Sequence, residues 1–272
     1  MKLRNADLSE LETVLDWAAA EGWNPGLADA EAFYAADPQG FFVAEVAGAP
    51  VAAISVVNHD AKTAFLGLYI CKPEMRGRGI GFALWQHALR HAGDRSVGLD
   101  GVAAQQDNYA RSGFRRQGAS LRLTGLLSRE DDTGVVLAEP SDLEHLIALD
   151  AQASGVRRDA FLSRWLAPGP SRQTVRLSDG RGFATVRQCR EGLKIGPVIA
   201  EHSEDAMRLA RAAASRFPTA PVSIDLPDSN APLRARLMDC GFAPAFETAR
   251  MYRGTAPKTT ASLQAIATME LG

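Results

Sequence analysis

The chain has little of what marks secreted, membrane-spanning or nucleic-acid-binding proteins. Its 272 residues include three cysteines, at positions 71, 189 and 240. An odd number of scattered cysteines provides no disulfide framework and is typical of reduced thiols in a cytosol. No apolar run approaches the roughly twenty residues that cross a bilayer. The formal net charge is only −2, so no strong field draws the chain to nucleic acid or a membrane surface.

Residues 1–7 also lack the apolar centre of a secretion signal. We therefore expect a cytoplasmic protein whose partner is a small molecule, with no nucleic acid and no membrane. The composition, 46% hydrophobic and 23% charged, is that of an ordinary globular protein. The length allows one large or two modest domains.

The most informative segment is the basic, glycine-rich sequence Arg76-Gly-Arg-Gly-Ile-Gly81. It stands between an apolar run, 65–71, and a segment with helical periodicity, 82–92. Glycines at 77, 79 and 81 allow positive φ and a close approach of ligand to backbone. The first N–H groups of a helix attract anions, and arginines add charge-assisted contacts to phosphate. The segment predicts a phosphate cradle, with an ordinary surface turn as the alternative.

Two other phosphate-binding loops fit less well. A Walker-type loop ends in Gly-Lys-Ser/Thr, but here Ile80, Gly81 and Phe82 follow, without a lysine or hydroxyl. A dinucleotide fingerprint requires G-x-G-x-x-G after the first strand of a βαβ unit, and an acid about twenty residues later. Asp100 has a suitable distance, but the glycine spacing differs and several strands precede the loop.

Two motifs, in order and about thirty residues apart, resemble the GNAT superfamily of N-acetyltransferases. The acetyl-CoA motif of that superfamily is an apolar strand, a Pro-Glu step and Arg/Gln-x-x-Gly-x-Gly/Ala. Arg76, Gly79 and Gly81 occupy its three fixed positions. A later helix of the superfamily carries a tyrosine four residues before a Gly-Phe pair, and Tyr109 occupies that place before Gly113-Phe114.

The chain also reads as two similar halves. A hairpin pattern around Gly48 returns around Gly180, and Gly113-Phe114 returns as Gly241-Phe242, at offsets of about 130 residues. A repeat of that length indicates two whole domains. Ser9 and Ser141 each precede a glutamate by three residues, which predicts a capping box at the first helix of each half.

We place the domains at 1–127 and 134–272. Each reads as strand, helix, hairpin, long strand, helix, strand, helix, strand, so the fold class is α/β with a mixed α+β sheet. The second half has no glycine loop, carries acids after its long strand, and has Leu237 at the tyrosine place. Four segments resemble a tandem branch of the superfamily: Gly22-Trp-Asn-Pro-Gly26, Leu99-Asp-Gly-Val102, Ala249-Arg-Met-Tyr-Arg-Gly254 and Met269-Glu-Leu-Gly272. This resemblance implies an active N-terminal domain and a degenerate GNAT-like C-terminal domain, which we expect to help form the acceptor cleft.

The resemblance implies an acetyl-CoA site on the long strand and loop. Its residues are Leu68, Tyr69, Ile70, Cys71, Arg76, Gly77, Arg78, Gly79, Ile80 and Gly81. Pantetheine amides can pair with the strand backbone, and an N–H near Tyr69 or Ile70 can polarise the thioester carbonyl. Tyr109 is the candidate general acid for the leaving thiolate; a core aromatic is the alternative.

The general base stays open, because residues 65–71 contain no acid, whereas many relatives have a glutamate there. Asp100 and Asp225 end apolar strands and are candidates, although strand-end acids are commonly satisfied by backbone N–H groups. A water relay or an already neutral amine explains the gap equally well. Trp23 and Asn24, between the first helical segments, are candidates for the acceptor pocket or for packing under the loop.

His87 and His91 lie four apart on the helix after the loop, without a third ligand. We expect a solvated helix face and no metal. The sequence predicts a monomeric or homodimeric acetyltransferase that uses acetyl-CoA. The acceptor would be the primary amine of a small metabolite or amino acid, attacking directly. A non-catalytic acyl-CoA-binding sensor and a protein-modifying acetyltransferase remain alternatives, and the acceptor and acyl length are open.

Overall fold

The computed structural model describes residues 1–130 and 132–272. Its strands are β1 (Lys2–Asn5), β2 (Phe41–Val46), β3 (Ala49–Asn58), β4 (Thr63–Cys71), β5 (Ser96–Gly101), β6 (Arg115–Gly125), β7 (Val135–Leu137), β8 (Arg172–Leu177), β9 (Phe183–Gln188), β10 (Leu193–Ile199), β11 (Val222–Pro227), β12 (Ala243–Arg253) and β13 (Leu263–Ala265). Its helices are α1 (Leu8–Ala20), α2 (Asp29–Ala36), α3 (Ile80–Leu89), α4 (Gln106–Arg111), α5 (Leu143–Ser154), α6 (Asp159–Trp165), α7 (Ser203–Ala214) and α8 (Ala231–Asp239).

The mixed α/β class and the repeated element order are confirmed, with two helices rather than one before each hairpin. The predicted capping boxes at Ser9 and Ser141 are wrong. The boxes lie two residues earlier, at Asp7 with Glu10 and at Glu139 with Asp142. Asp7 and Glu139 directly precede their helical turns. Ser9 and Ser141 lie inside those turns and therefore cannot cap them.

All strands of the described residues join one sheet in which each half receives one long strand, β6 or β12, from the other. The order is β1-β2-β3-β4-β5-β12-β6-β11-β10-β9-β8-β7, with β13 beside β10. β12 of the second half therefore completes the first half beside β5, and β6 of the first half lies beside β11. β6 and β12 pair antiparallel at the centre. The sheet is continuous between the two halves.

The first half opens between β4 and β5. These strands pair in parallel only as far as Leu66 opposite Leu99. Leu68 has a φ of +47°, and the pairing of β4 with β3 shifts register between Ala53 and Ser55. A left-handed residue at a bulge bends its strand and interrupts pairing. β4 therefore leaves β5 beyond Leu66 and presents unpaired backbone along one edge.

The corresponding opening in the second half is filled by residues 263–272, here called the C-terminal tail. β10 and β11 pair in parallel only through Ile195. β13 then pairs with β10, and the Ile266 N–H donates to the Asp225 carbonyl at 2.9 Å. A Cβ on Gly196 would overlap the carbonyl oxygen of Ile266. The tail thus lies in direct backbone contact with β10.

Packing of α3 fixes where the glycine loop points. Ile80, Leu84, Trp85 and Ala88 are buried in an apolar cluster with side chains of β2, β3 and β4. This face holds the N-terminal end of α3 beside the end of β4. Over the two described ranges, no helix combines the length and apolar character that crossing a membrane requires.

Candidate active site

The loop after β4 places the start of α3 at the mouth of a groove. Gly77 and Gly79 have φ angles of +75° and +76°, and Gly79 directly precedes the helix. Gly81 lies inside α3 and does not have a positive φ, so the expectation for this third glycine is wrong. A Cβ on Gly81 would come 2.7 Å from the Tyr69 hydroxyl. Its small size therefore makes room for Tyr69.

The first turn of α3 has the properties of an anion-binding helix end. No side chain in the described ranges caps it, which leaves its N–H groups for a ligand. Arg76 donates from Nε to the Cys71 carbonyl at 2.8 Å, and its Nη2 binds the Glu21 carboxylate. Arg78 is exposed. A phosphate at this turn would compete with Glu21 for the Arg76 guanidinium.

Most residues of the predicted coenzyme site line one groove of about 580 Å³. They are Tyr69, Ile70, Cys71, Arg76, Gly77, Gly79, Ile80 and Gly81. Leu68 lines the cavity at the end of that groove, whereas Arg78 lines neither space. Burial raises the pKa of the Cys71 thiol, which disfavours the reactive thiolate.

The cavity adjoining the groove has a volume of about 80 Å³ and is walled by both halves of the chain. Trp23, Tyr69 and Tyr109 come from the first half. Thr248 of β12, together with Met269 and Glu270 of the C-terminal tail, comes from the second half, and these three do not line the groove. The second half therefore contributes side chains to the cavity that do not reach the groove.

Tyr109 faces both this cavity and a further opening between α3 and α4. Its ring stacks on Trp85, with centroids 5.3 Å apart, and a Cβ on Gly101 would come within 2.9 Å of it. Burial, with a smaller contribution from Tyr69, raises the pKa of Tyr109 well above its ordinary value. Burial also raises the pKa of Tyr69. Both phenols keep their protons at neutral pH, as a general acid must.

Asp100 and Asp225 each bind an arginine from an exchanged strand. Arg250 donates from Nε and Nη2 to Asp100 at 2.9 and 2.7 Å, and the Ser120 hydroxyl donates to Asp100 at 2.9 Å. Arg122 makes the matching pair with Asp225 at 2.7 and 2.8 Å. Although burial opposes it, the Arg122 charge holds the pKa of Asp225 below its ordinary value. Guanidinium groups thus satisfy these strand-end acids, where backbone N–H groups were expected.

Only one of the two candidate acids reaches the cavity. Asp100 lines it, and Asp225 does not. Both oxygens of each carboxylate are engaged by a guanidinium, which argues against either acid as the base.

Of the two residues proposed for the acceptor pocket, the fold places Trp23 at the site and Asn24 away from it. Trp23 lines both the groove and the cavity, whereas Asn24 lines neither. The Asn24 amide donates to the Glu191 carbonyl at 2.8 Å and accepts from the Glu191 N–H at 3.1 Å. Asn24 therefore joins the segment after α1 to the turn between β9 and β10.

Sequence reasoning gave no role in the site to the C-terminal tail or to Thr248. A Cβ on Gly67 would overlap the Glu270 carbonyl oxygen, so the tail lies directly on the strand at its bulge. Thr248 is 2% exposed, and its hydroxyl has no hydrogen-bond partner within 1–130 and 132–272. The one available signal was an acid in an otherwise mostly apolar ending, Ala265-Ile-Ala-Thr-Met-Glu-Leu271.

No group of three or more metal-ligating side chains occurs in the part of the chain that the structure describes. The His87 ring packs edge-on against Phe42 at 5.7 Å. His91 Nε2 lies 2.7 Å from the Asp37 carboxylate. Both rings are half-buried, so the expected solvated face is wrong. Both histidines pack against Phe42 of β2, and His91 also binds Asp37.

Comparison with known proteins identifies the family. Residues 8–119 match the model described as "Acetyltransferase (GNAT) family", and residues 146–264 match "Acetyltransferase (GNAT) domain". A holothin acyltransferase from Pseudoalteromonas sp. (strain SANK 73390) is 35% identical over 274 residues, covering 98% of this chain and 93% of that protein.

Two solved structures share the fold. A Pyrococcus horikoshii protein named for a presumed acetyltransferase activity has a TM-score of 0.84 at 20% identity, covering 100% of this chain and 95% of the other. A tandem GNAT protein from the clavulanic acid biosynthesis pathway has a TM-score of 0.58 at 17% identity, covering 92% and 97%. The chain belongs to the GNAT acetyltransferase family and is an acyltransferase with two GNAT domains in tandem.

Proposed function

We propose that the protein transfers an acetyl group from acetyl-CoA to the primary amine of a small metabolite or amino acid. The observation that carries this proposal is one continuous path. It runs from the first turn of α3, along the unpaired edge of β4, to the cavity beside Tyr109. The left-handed glycines and free N–H groups suit a pyrophosphate. The open strand edge suits the pantetheine amides, which can pair with it as an added strand would.

The second half offers no equivalent path. Its opening between β10 and β11 is occupied by the C-terminal tail. The segment that corresponds to the glycine loop carries Glu201, Glu204 and Asp205, whose charges repel phosphate. We infer one coenzyme site per chain, in the first half.

Three groups would act on the reacting atoms. The neutral amine attacks the thioester carbonyl, and a C–N bond forms. A backbone N–H of β4 near Tyr69 or Ile70 stabilises the negative charge on the carbonyl oxygen. The C–S bond then breaks, and Tyr109 donates its proton to the leaving thiolate. Tyr69 is the alternative donor because its protonated phenol lines the same cavity.

The walls of the cavity favour a compact acceptor. Thr248, Met269 and Glu270 stand at the part of the cavity that is separate from the coenzyme groove, where an acceptor would approach the thioester. A strand and a tail from the other domain leave less room there for an extended peptide than an open groove would. A relative is named for acylating holothin, so holothin belongs among the acceptors tested.

A thiol-release assay tests the function. Purified protein would be supplied with acetyl-CoA, or with longer acyl-CoA donors, across a panel of primary amines, amino acids and holothin. We expect CoA release that depends on the amine, with the acetyl donor preferred. Binding of acetyl-CoA without amine-dependent release from any member would favour the acyl-CoA-binding sensor instead.

A further inference from the structure

Two acids line the cavity, and only one of them holds a cation. Asp100 binds Arg250 through both oxygens. Glu270 is 6% exposed and forms no ion pair with any residue that the structure describes. Its Oε2 accepts a hydrogen bond from the Thr268 hydroxyl. A buried carboxylate without a cation is costly, so this one is suited to a positively charged ligand.

The buried cations around Glu270 already have partners. Arg122 binds Asp225 at 2.7 Å, Arg187 lies 3.3 Å from Asp29, and Lys194 donates to the Trp23 carbonyl at 2.8 Å. The hydrogen bonds of these three cations are therefore directed to groups other than the Glu270 carboxylate. The carboxylate is thereby kept as an acceptor for something that enters the cavity.

Contacts of the C-terminal tail hold Glu270 in a fixed place. The Glu270 backbone lies on Gly67, next to the bulge at Leu68. Beyond it, His59 Nε2 lies 2.7 Å from the Leu271 carbonyl, and Arg158 binds the Gly272 carbonyl. Glu270 therefore stands where β4 turns away from β5, in the cavity that adjoins the coenzyme groove.

A second polar group of the cavity, the Thr248 hydroxyl, has no hydrogen-bond partner in the described ranges. The Thr248 hydroxyl, on the exchanged strand β12, lines the same cavity as Glu270 and is unsatisfied within the described ranges. Unpaired buried hydroxyls are uncommon and call for an explanation. A ligand that bears both a cation and a hydrogen-bonding group would satisfy Glu270 and Thr248 together.

We propose that Glu270 is the base that deprotonates the acceptor amine, and that the Thr248 hydroxyl binds the same acceptor. This assignment rests on the proposed function. The acceptor class is then an aliphatic primary amine that arrives as an ammonium ion, with a hydroxyl, carbonyl or similar polar group nearby.

The proton balance is complete with these residues. Glu270 takes one proton from the ammonium, and the neutral amine forms the C–N bond. The second proton leaves the nitrogen as the tetrahedral intermediate collapses and returns to the Tyr109 oxygen, which has given its own proton to the CoA sulfur. Glu270 releases its proton to solvent, so each turnover yields amide, CoA thiol and one free proton.

Glu270→Gln tests the base directly, because glutamine keeps the shape and can still accept from Thr268. With an aliphatic amine we expect kcat at pH 7 to fall about 100-fold or more, and the remaining rate to rise with pH toward the pKa of the free amine. Acetyl-CoA affinity by calorimetry should not change. With an aromatic amine or a hydrazide, which is neutral at pH 7, the loss should shrink to a few-fold. Glu247→Gln, an exposed acid on β12, is the matched control and should behave as wild type.

A loss of equal size with charged and neutral acceptors would show that Glu270 is only structural and overturn the assignment. So would a Glu270→Gln enzyme with full turnover. Thr248→Val should raise KM for the acceptor about tenfold with little change in kcat or in the pH profile; an unchanged KM would remove Thr248 from the site. If wild type acylates no amine, the proposed function itself fails, which is distinguishable from a transferase that does not need Glu270.

Discussion

Arg250 on β12 lies directly opposite Asp100 on β5 and binds both of its carboxylate oxygens. Arg122 on β6 and Asp225 on β11 repeat this arrangement. Each pair joins an exchanged strand to the half that receives it. The same pairs stand beside the cavity, since Asp100 and Arg122 both line it. The strand exchange and the shape of the candidate site therefore depend on the same contacts.

Removing Arg250 from its ion pair with Asp100 should destabilise the fold. Arg250→Met leaves Asp100 buried and charged without a cation, and such losses cost about 3 kcal/mol. We expect a decrease of that order in the free energy of unfolding, measured by urea denaturation. The control is Arg116→Met, which breaks the exposed pair with Glu247 between β6 and β12. Exposed pairs contribute about 0 to 1 kcal/mol, so equal losses in the two variants would contradict this account.

Gly79→Ala should weaken acetyl-CoA binding. The φ of +76° at Gly79 is unfavourable for alanine by roughly 1 to 2 kcal/mol, so the variant relaxes and redirects the first N–H groups of α3. We expect about a tenfold loss of affinity by calorimetry. Gly48→Ala is the matched control. Like Gly79, Gly48 has a positive φ, +81°, and open space around it, but it lies in the hairpin between β2 and β3. A similar loss of affinity in Gly48→Ala would refute the specific role of the loop.

Tyr109→Phe distinguishes the two phenols of the cavity. If Tyr109 protonates the thiolate, kcat should fall about 100-fold while acetyl-CoA affinity stays the same, and Tyr69→Phe should lose much less. Because the pKa of Tyr109 is raised, its proton stays in place through moderately alkaline pH. The kcat of wild type should therefore show no alkaline limb near the ordinary tyrosine value of about 10. Steady-state kinetics of both variants decide which tyrosine is the proton donor. Full turnover in Tyr109→Phe would exclude Tyr109 as that donor.

Acid should weaken the fold through His59. Burial, followed by the Arg158 charge, lowers the pKa of His59 to about 4, below the ordinary value of about 6.5. The unfolded chain then binds a proton more readily than the folded one. The contribution of neutral His59 to stability is present above pH 6.5 and is lost as pH falls toward 4.

Urea unfolding at pH 7 and pH 4.5 measures this contribution. His59→Gln keeps a donor for the Leu271 carbonyl but does not titrate. We expect wild type to lose about 2 kcal/mol more than this variant between the two pH values. Equal losses in both proteins would contradict a buried neutral imidazole at this position.

The conformation of the glycine loop could be predicted from the sequence because it is set locally. The left-handed conformations of Gly77 and Gly79 follow from residue type and position, and so does the start of α3 after them. Tyr109 could also be placed, since a motif with fixed spacing carries it. Gly81 was misread because glycine serves close packing as well as positive φ, and only the position of Tyr69 distinguishes the two.

The residues that we propose to bind the acceptor could not be predicted from the sequence. They come together only through pairing of strands that are far apart in the chain. β6 and β12 have the same alternation of side chains whichever half they join, so their exchange leaves no local signal. Glu270 reaches the cavity only because the tail first fills the opening beside β10. The partners of Asp100 and Asp225 depend on that same exchange, so a sequence search for the base pointed to two acids that each hold an arginine.

The central claim is that the opening beside β4 binds the coenzyme while the equivalent opening beside β10 is closed by the C-terminal tail. Isothermal titration calorimetry of the purified full-length chain with acetyl-CoA tests it most directly. We predict saturable binding with one coenzyme per chain. No binding, or two sites per chain, would contradict the account.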